Sequence, residues 1–353
     1  SIAPLTLLSH DQARCLDGSP GGYYWQPSTL PNPYEAGWVL HLQGGGECTV
    51  ESSCRSRLTT TLGSSRYFSA TFTPYAVASA DPALMPLTHA WHHVFLPYCS
   101  ADLWSGTVVH GRWNMSFAGH EILAAVVADL NRRSDLGHVP SQPVVLTGDS
   151  AGGIGVWTNV DWLQTMLPQA RVIGAPLAGF YAFAYPYTGP RFVERGEDFR
   201  KAAWASHVDL WHSYLPVACV AALGPHDAPA CMLSNYSAPF VAAPMFVIEA
   251  QTDSVQLTAH EWMPHSAADA QPGSPMFAYM VEWQANQSMG LSATLKPLDG
   301  WFRPACFIHT EFYSSSPTIG NESYATAYTR WLRGVLGSTA EEAVRVEDAC
   351  GIL

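Results

Sequence analysis

Ser150 stands in the stretch Val144-Val145-Leu146-Thr147-Gly148-Asp149-Ser150-Ala151-Gly152-Gly153, with Gly148 and Gly152 at the G-x-S-x-G spacing. A β-branched apolar run before it and an amphipathic segment from Ile154 to Leu163 after it read as strand, sharp turn, helix. Such a turn lifts a serine hydroxyl off a sheet and aims helix N-terminal amides at the same spot. The chemistry this allows is nucleophilic attack on a carbonyl. A serine needs a base to take its proton, and the base needs an acid to hold its tautomer.

On this type of scaffold the partners follow in the order Ser, acid, His. Asp253 sits just past the apolar run Pro244–Ala250, where an acid belongs, and competes with Asp209, Asp227, Asp269 and Asp299. His309 lies late in the chain beside Cys306. It competes with His207, His212, His226, His260 and His265. Upstream, Gly37–Gln43 reads as a strand that stops at Gly44-Gly45-Gly46. Without Cβ atoms, such a loop lets backbone amides approach a ligand oxygen, which is what an oxyanion site needs.

Elements must hold these residues. Strands are expected at 23–25, 94–99, 144–147, 171–175 and 244–250. A helix is expected at 121–131, with Ile122, Leu123, Val126, Val127 and Leu130 on one face. Residues 191–235 read as helical with a loop between Cys219 and Cys231. Residues 256–289 read as helix with a break at 272–275, and the last helix as Tyr324–Leu336. Strands alternating with helices predict an α/β fold, α/β-hydrolase-like, with a mainly parallel central sheet and helices on both faces. No repeat or linker divides the chain, so residues 1–353 are expected to form a single catalytic domain with long insertions.

Composition narrows the function classes. The chain has 353 residues, 17 Lys and Arg against 29 Asp and Glu, and a net charge of −12; its two lysines are Lys201 and Lys296. That excludes a polyanion-binding surface, so no nucleic-acid partner is expected. No apolar run approaches the roughly 20 residues of a membrane span. The chain starts at Ser1, which reads as a mature or trimmed form. Eight cysteines without a C-x-x-C pair suggest a disulfide framework, and four Asn-x-Ser/Thr sequons stand at Asn114, Asn235, Asn286 and Asn321. Together they predict a secreted glycoprotein. Cys48 and Cys54 could clip the glycine loop, and Cys219 with Cys231 could close their own loop; Cys15–Cys99 and Cys306–Cys350 are the other expected pairs. His89, His92 and His93 have no cysteine or carboxylate trio to complete a zinc site, so no metal or other cofactor is expected.

Several separated stretches carry a family resemblance: CLDGSPGGYYW at 15–25, LQGGGEC at 42–48, VFLPYCSADLWSG at 94–106, GDSAGGIGVWTNVDWL at 148–163, TDSVQL at 252–257 and ACFIHTEF at 305–312. The chain resembles the Notum-like carboxylesterases of the pectin acetylesterase family. The resemblance implies Ser150 as nucleophile, Asp253 as acid and His309 as base, with oxyanion donors on the N–H groups of Gly45, Gly46 and Ala151. It implies two-step acyl transfer, either as an O-deacylase of acylated protein or as an O-acetylesterase of polysaccharide. A catalytically weak glycan-binding relative is the third alternative.

The chain also departs from that pattern. Where the Notum-like members place Trp-Tyr after the glycine loop, Gly46 and Glu47 stand here. Asp149 precedes the serine in place of a small residue, and Pro176–Phe180 lacks the family's acid. Glu47, Asp149, Phe180 and Tyr181 are therefore the candidate substrate-pocket residues, and short acyl chains are the expected preference. Composition leaves the oligomeric state open, with a monomer as the simplest expectation.

Overall fold

A computed structural model provides the structure; it describes residues 3–192, 201–264, 270–294, 296–312, 316–337 and 343–348. Twelve strands are present among them: β1 (Ala3–Leu7), β2 (Gly22–Gln26), β3 (Trp38–Leu42), β4 (Thr71–Phe72), β5 (His92–Leu96), β6 (Pro143–Asp149), β7 (Arg171–Leu177), β8 (Phe246–Ile248), β9 (Gly300–Arg303), β10 (Thr318–Ile319), β11 (Glu322–Ser323) and β12 (Arg345–Glu347). Ten of them form one sheet in the order β12-β9-β8-β7-β6-β3-β5-β2-β1-β4. From β12 through to β5 every neighbouring pair is parallel. The β5, β2, β1, β4 edge is antiparallel.

The parallel block explains its own sequence. Every residue of β3 and β5 is buried, because helices cover both faces. Along β3, Trp38, Leu40 and Leu42 join one core with Val144 and Leu146 of β6, beneath α2 (Gly119–Arg133) and α3 (Ala151–Met166). Val39 and Val145 point the other way, into a second core with Phe246 and Ile248 of β8 and with Tyr328, Trp331 and Leu332 of α8 (Tyr324–Leu336). The mainly parallel sheet with helices on both faces is the one expected.

β3 pairs with β5 on one side and with β6 on the other, so the strand order reverses at β3. In open α/β sheets that reversal opens a crevice at the carboxyl ends of the strands. β3 ends at the glycine loop and β6 ends at Ser150, so both reach that crevice.

Several elements differ from expectation. Residues 201–237 form α4 (Lys201–Trp211), α5 (Val217–Asp227), a 3-10 turn (Ala228–Met232) and the one-turn α6 (Ser234–Ser237). The helical run Val217–Leu223 reaches into the expected 219–231 loop, and α5 breaks at Gly224 (φ 76°), just before Pro225. The expected 256–289 helix is a π-helical turn at Gln256–His260, then, from Pro275, helix α7 (Pro275–Thr294). Short strands β9 and β12 escaped notice because each offers little apolar pattern, and β9 ends on the buried Arg303.

Three disulfides form as expected: Cys15–Cys99, Cys48–Cys54 and Cys219–Cys231. The Cys306–Cys350 pairing lies outside the described residues, because Cys350 does. Of the sequon asparagines, Asn114, Asn286 and Asn321 are exposed, whereas Asn235 is half-buried with its Oδ1 enclosed.

Candidate active site

Ser150 occupies the turn between β6 and α3 with φ 54° and ψ −120°. That strained left-handed backbone is held by the Ser150 N–H, which donates to the Leu177 carbonyl at 2.9 Å. The flanking glycines are there for space. A Cβ on Gly152 would lie 1.9 Å from the Leu42 carbonyl oxygen, and one on Gly148 2.5 Å from that of Gly152. Strand β3 and the start of α3 therefore meet backbone to backbone, which brings the glycine loop beside the serine.

Asp253 and His309 arrive from the ends of other strands. Asp253 follows β8, and His309 lies on the loop after β9. His309 Nε2 is 2.7 Å from Ser150 Oγ, and His309 Nδ1 is 2.6 Å from Asp253 Oδ2. Asp253 is fully buried, and its Oδ1 accepts from the N–H groups of Val255 (3.0 Å) and Gln256 (2.8 Å). The His309 N–H donates to Glu311 Oε2 at 2.8 Å. Burial alone would lower the basicity of His309. The Asp253 carboxylate, by charge and hydrogen bond, more than offsets it, with help from Asp149 and Glu311, so the pKa of His309 is raised.

A cavity of about 350 Å³ opens over this chain of hydrogen bonds; its lining includes Gly45, Gly46, Glu47, Asp149, Ala151 and Tyr181. The glycine loop is clamped from behind by Arg57 of α1 (Glu51–Arg57), which donates to the carbonyls of Gly45 (2.7 Å) and Glu47 (2.8 Å). In a trans peptide the C=O and the next N–H point in opposite directions. With the Gly45 carbonyl turned to Arg57, the Gly46 N–H faces away from it. The Cys48–Cys54 bridge ties the same loop to the same helix. Segment 98–104 braces it further: Trp104 Nε1 donates to the Gln43 carbonyl (3.0 Å) and Cys48 N to the Ala101 carbonyl (3.0 Å). Ala151 is the first residue of α3, so its N–H is one of the helix's unpaired N-terminal donors.

Asp149 does not stand free beside the serine. Its Oδ1 meets His41 Nε2 at 2.8 Å and accepts from the Tyr75 hydroxyl at 3.0 Å. His41 is buried in β3 and stacks on Phe95 at 5.3 Å. Tyr181 is buried, and its hydroxyl hydrogen-bonds with Ser150; burial holds its pKa well above the ordinary value. His260, also on the lining, is pushed down to about 3 by burial and by the neighbouring His309.

Phe180 is a correction. It was expected at the pocket, but it is fully buried in the core with its ring edge-on to Trp157 at 5.9 Å. Phe180 packs into the core with Trp157 of α3, while Tyr181, one residue on, reaches the cavity lining. Residues that sequence reasoning did not single out are Arg57, His41, Tyr75 and Glu249. Arg57, three residues past Cys54 on one short helix, was the most findable. Among the described residues no group of three or more His, Cys, Asp and Glu is arranged to hold a metal. His92 and His93 belong to β5; His92 stacks on Trp38 at 4.0 Å, and burial pushes His93 down to about 4.

The pectinacetylesterase family model matches residues 1–347. Human palmitoleoyl-protein carboxylesterase NOTUM is 30% identical over 313 residues, covering 86% of this chain. Pectin acetylesterase 7 of Arabidopsis thaliana is 26% identical over 356 residues, covering 94% of this chain and 86% of its own. The structure of the Wnt deacylase Notum from Drosophila superposes with a TM-score of 0.83 at 26% identity, covering 100% of this chain and 97% of that one. The chain spans 60% of the length of human NOTUM. On the match of the family model along nearly its whole length, this chain belongs to the pectinacetylesterase family, a family of carboxylic ester hydrolases.

Proposed function

We propose that this protein is a secreted serine carboxylesterase that removes short O-linked acyl groups, with Ser150 as nucleophile, His309 as base and Asp253 as the acid that orients it. The observation that carries this reading is the unbroken hydrogen-bond path Asp253–His309–Ser150 at the floor of a cavity lined by Gly45, Gly46 and Ala151. Ser150 Oγ attacks the ester carbonyl as its proton passes to His309 Nε2. The tetrahedral oxyanion is held by the N–H groups of Gly45, Gly46 and Ala151, each typically worth about 3–4 kcal/mol in such sites. His309 returns the proton to the leaving alcohol, then takes one from water, which releases the acid and restores Ser150. His309 must be neutral to begin. Its raised pKa therefore moves the acid limb of activity upward in pH.

The substrate follows from the cavity's chemistry. Glu47, Arg57, Asp149 and His260 all contribute to its lining, alongside Leu103, Ile154 and Val255. A long hydrocarbon tail cannot give those polar groups the hydrogen bonds they lose when solvent is displaced. An acetyl group beside a hydroxylated alcohol can, which favours acetylated polysaccharide as the substrate. The second reading is an O-deacylase of acylated protein; the 30% identity to human NOTUM favours it. The three disulfides and the exposed Asn114, Asn286 and Asn321 support an exported, glycosylated protein. The sheet's continuity from β4 to β12 supports one catalytic domain.

Hydrolysis of p-nitrophenyl esters from acetate to palmitate tests the acyl preference. Acetate and butyrate are expected to exceed palmitate in kcat/KM by at least about tenfold, the yield of roughly 1.4 kcal/mol of discrimination. An optimum at palmitate would overturn the short-chain reading and favour the protein deacylase.

A further inference from the structure

Glu249 is a buried carboxyl for which the acyl-transfer steps above have no use. It follows β8 directly and is fully buried, two residues ahead of the Gln251–Asp253 stretch that leads to the acid. Its Oε2 accepts from the Phe180 N–H at 2.9 Å, and its Oε1 lies 3.3 Å from Gln256 Nε2. The same Gln256 donates its backbone N–H to Asp253 at 2.8 Å. One residue thus brackets both carboxyls and holds them side by side.

Two carboxyl groups can share a hydrogen bond only if one carries a proton. The donors decide which. Asp253 already has two backbone N–H groups on Oδ1 and His309 on Oδ2, so both of its oxygens are taken by partners. Glu249 has one short N–H bond, on Oε2, and only the long contact from Gln256 at Oε1. The buried cation nearby, Arg303 of β9, is directed elsewhere: it donates to Glu347 (2.7 Å), Ser288 (2.8 Å) and Gln287 (3.3 Å). The other titratable group felt from the cavity side is Tyr181, whose proton burial retains. Burial first, and the Asp253 charge second, push the Glu249 carboxyl well above the usual range, against the opposing pull of the Phe180 N–H and Arg303.

We propose that Glu249 is a neutral carboxylic acid whose Oε1–H donates to Asp253, a positioning residue that keeps the Asp253 carboxylate ionised and aimed at His309. This rests on the assignment of Asp253 and His309 made above. The proton is structural: it stays on Glu249 through the cycle, and no bond to substrate is made or broken there. Such a group adds a donor to Asp253 without adding a second negative charge beside His309.

The test compares Glu249→Leu with Glu249→Gln in p-nitrophenyl acetate hydrolysis, reading kcat, KM and the acid limb of kcat/KM, with infrared spectra of the wild type and the Gln variant. Leu removes the donor and is expected to lower kcat by about 10²-fold with KM changed by less than about twofold, as for a misplaced catalytic group. Gln offers an N–H donor in the same place. It is expected to recover most of that loss and to keep the acid limb where the wild type has it. The wild type at neutral pH should show the carbonyl stretch of a protonated carboxyl, and Gln should remove it.

A displaced limb would contradict the proposal. Were Glu249 ionised, Gln would delete a negative charge near His309, lower its pKa and move the limb to lower pH. Absence of the protonated-carboxyl band, or a Leu variant as active as wild type, would equally overturn it. If Leu does not fold, the limb and the band in the Gln variant decide alone. Ser150→Ala separates the two readings: full activity there sinks the triad, whereas an inactive Ser150→Ala beside a failed Glu249 test sinks only the acid pair.

Discussion

Ser150→Ala is expected to lower kcat for p-nitrophenyl acetate by about 10⁴- to 10⁶-fold, the range found when a serine triad loses its nucleophile. The expectation follows from position. Ser150 Oγ is the atom that His309 Nε2 meets at 2.7 Å, while His309 Nδ1 meets the buried Asp253 carboxylate at 2.6 Å. The oxyanion donors survive the change, so a residual rate above water should remain. The fold should survive as well. The residue keeps its φ of 54°, which Ala tolerates no better and little worse than Ser, and the backbone bond to Leu177 is untouched. Steady-state kinetics with a parallel melting curve check both halves; activity within tenfold of the wild type would contradict the assignment.

Gly152→Ala should be the most damaging of the Gly→Ala changes near the site, because its Cβ would meet backbone at 1.9 Å. The new Cβ would sit 1.9 Å from the Leu42 carbonyl oxygen and 2.7 Å from its carbon. Neither side can yield cheaply: both are backbone, one at the end of β3 and the other in the first turn of α3. Overpacking a filled core costs about 1–3 kcal/mol where side chains can move, and more is expected where they cannot. A loss of about 4 kcal/mol in denaturant unfolding is the expected result. Gly290→Ala is the control, since its Cβ would meet only Phe180 and Asn235 at 3.9 and 4.0 Å, on the long helix α7. That change is expected to be neutral or to stabilise by up to about 1 kcal/mol. The same Gly152 variant should lose activity beyond its loss of folded protein, because separating β3 from α3 separates the glycine loop from Ser150.

Much of this could be read from the chain itself. The strand–serine–helix turn was legible because it needs glycines at fixed offsets, and packing at 1.9 Å explains why nothing larger fits. Asp253 and His309 were among several candidates by chain order, and the resemblance chose between them; the structure brings those two to Ser150. Disulfides 48–54 and 219–231 were legible from short spacing.

What escaped was set by tertiary contacts with no local pattern. His41 and Asp149 are 108 residues apart, yet they meet because β3 and β6 are parallel neighbours in register, His41 beside Thr147. Glu249 looked like the polar end of a strand, because only the folded loop shows Asp253 and Gln256 curling back onto it. Phe180 and Tyr181 carry the same aromatic signal and both are buried, and only the fold places Tyr181 on the cavity lining and Phe180 off it. β9 hid behind Arg303, a charged residue whose burial is made tolerable by Glu347, Gln287 and Ser288.

The central claim is a covalent acyl-enzyme on Ser150, and its most direct test is intact-protein and peptide mass spectrometry after brief reaction with a p-nitrophenyl ester and acid quench. The account predicts one acyl group per chain, carried by the peptide that contains Ser150 and absent from Ser150→Ala. An active protein with no acylated species, or with the acyl group on another residue, would contradict it.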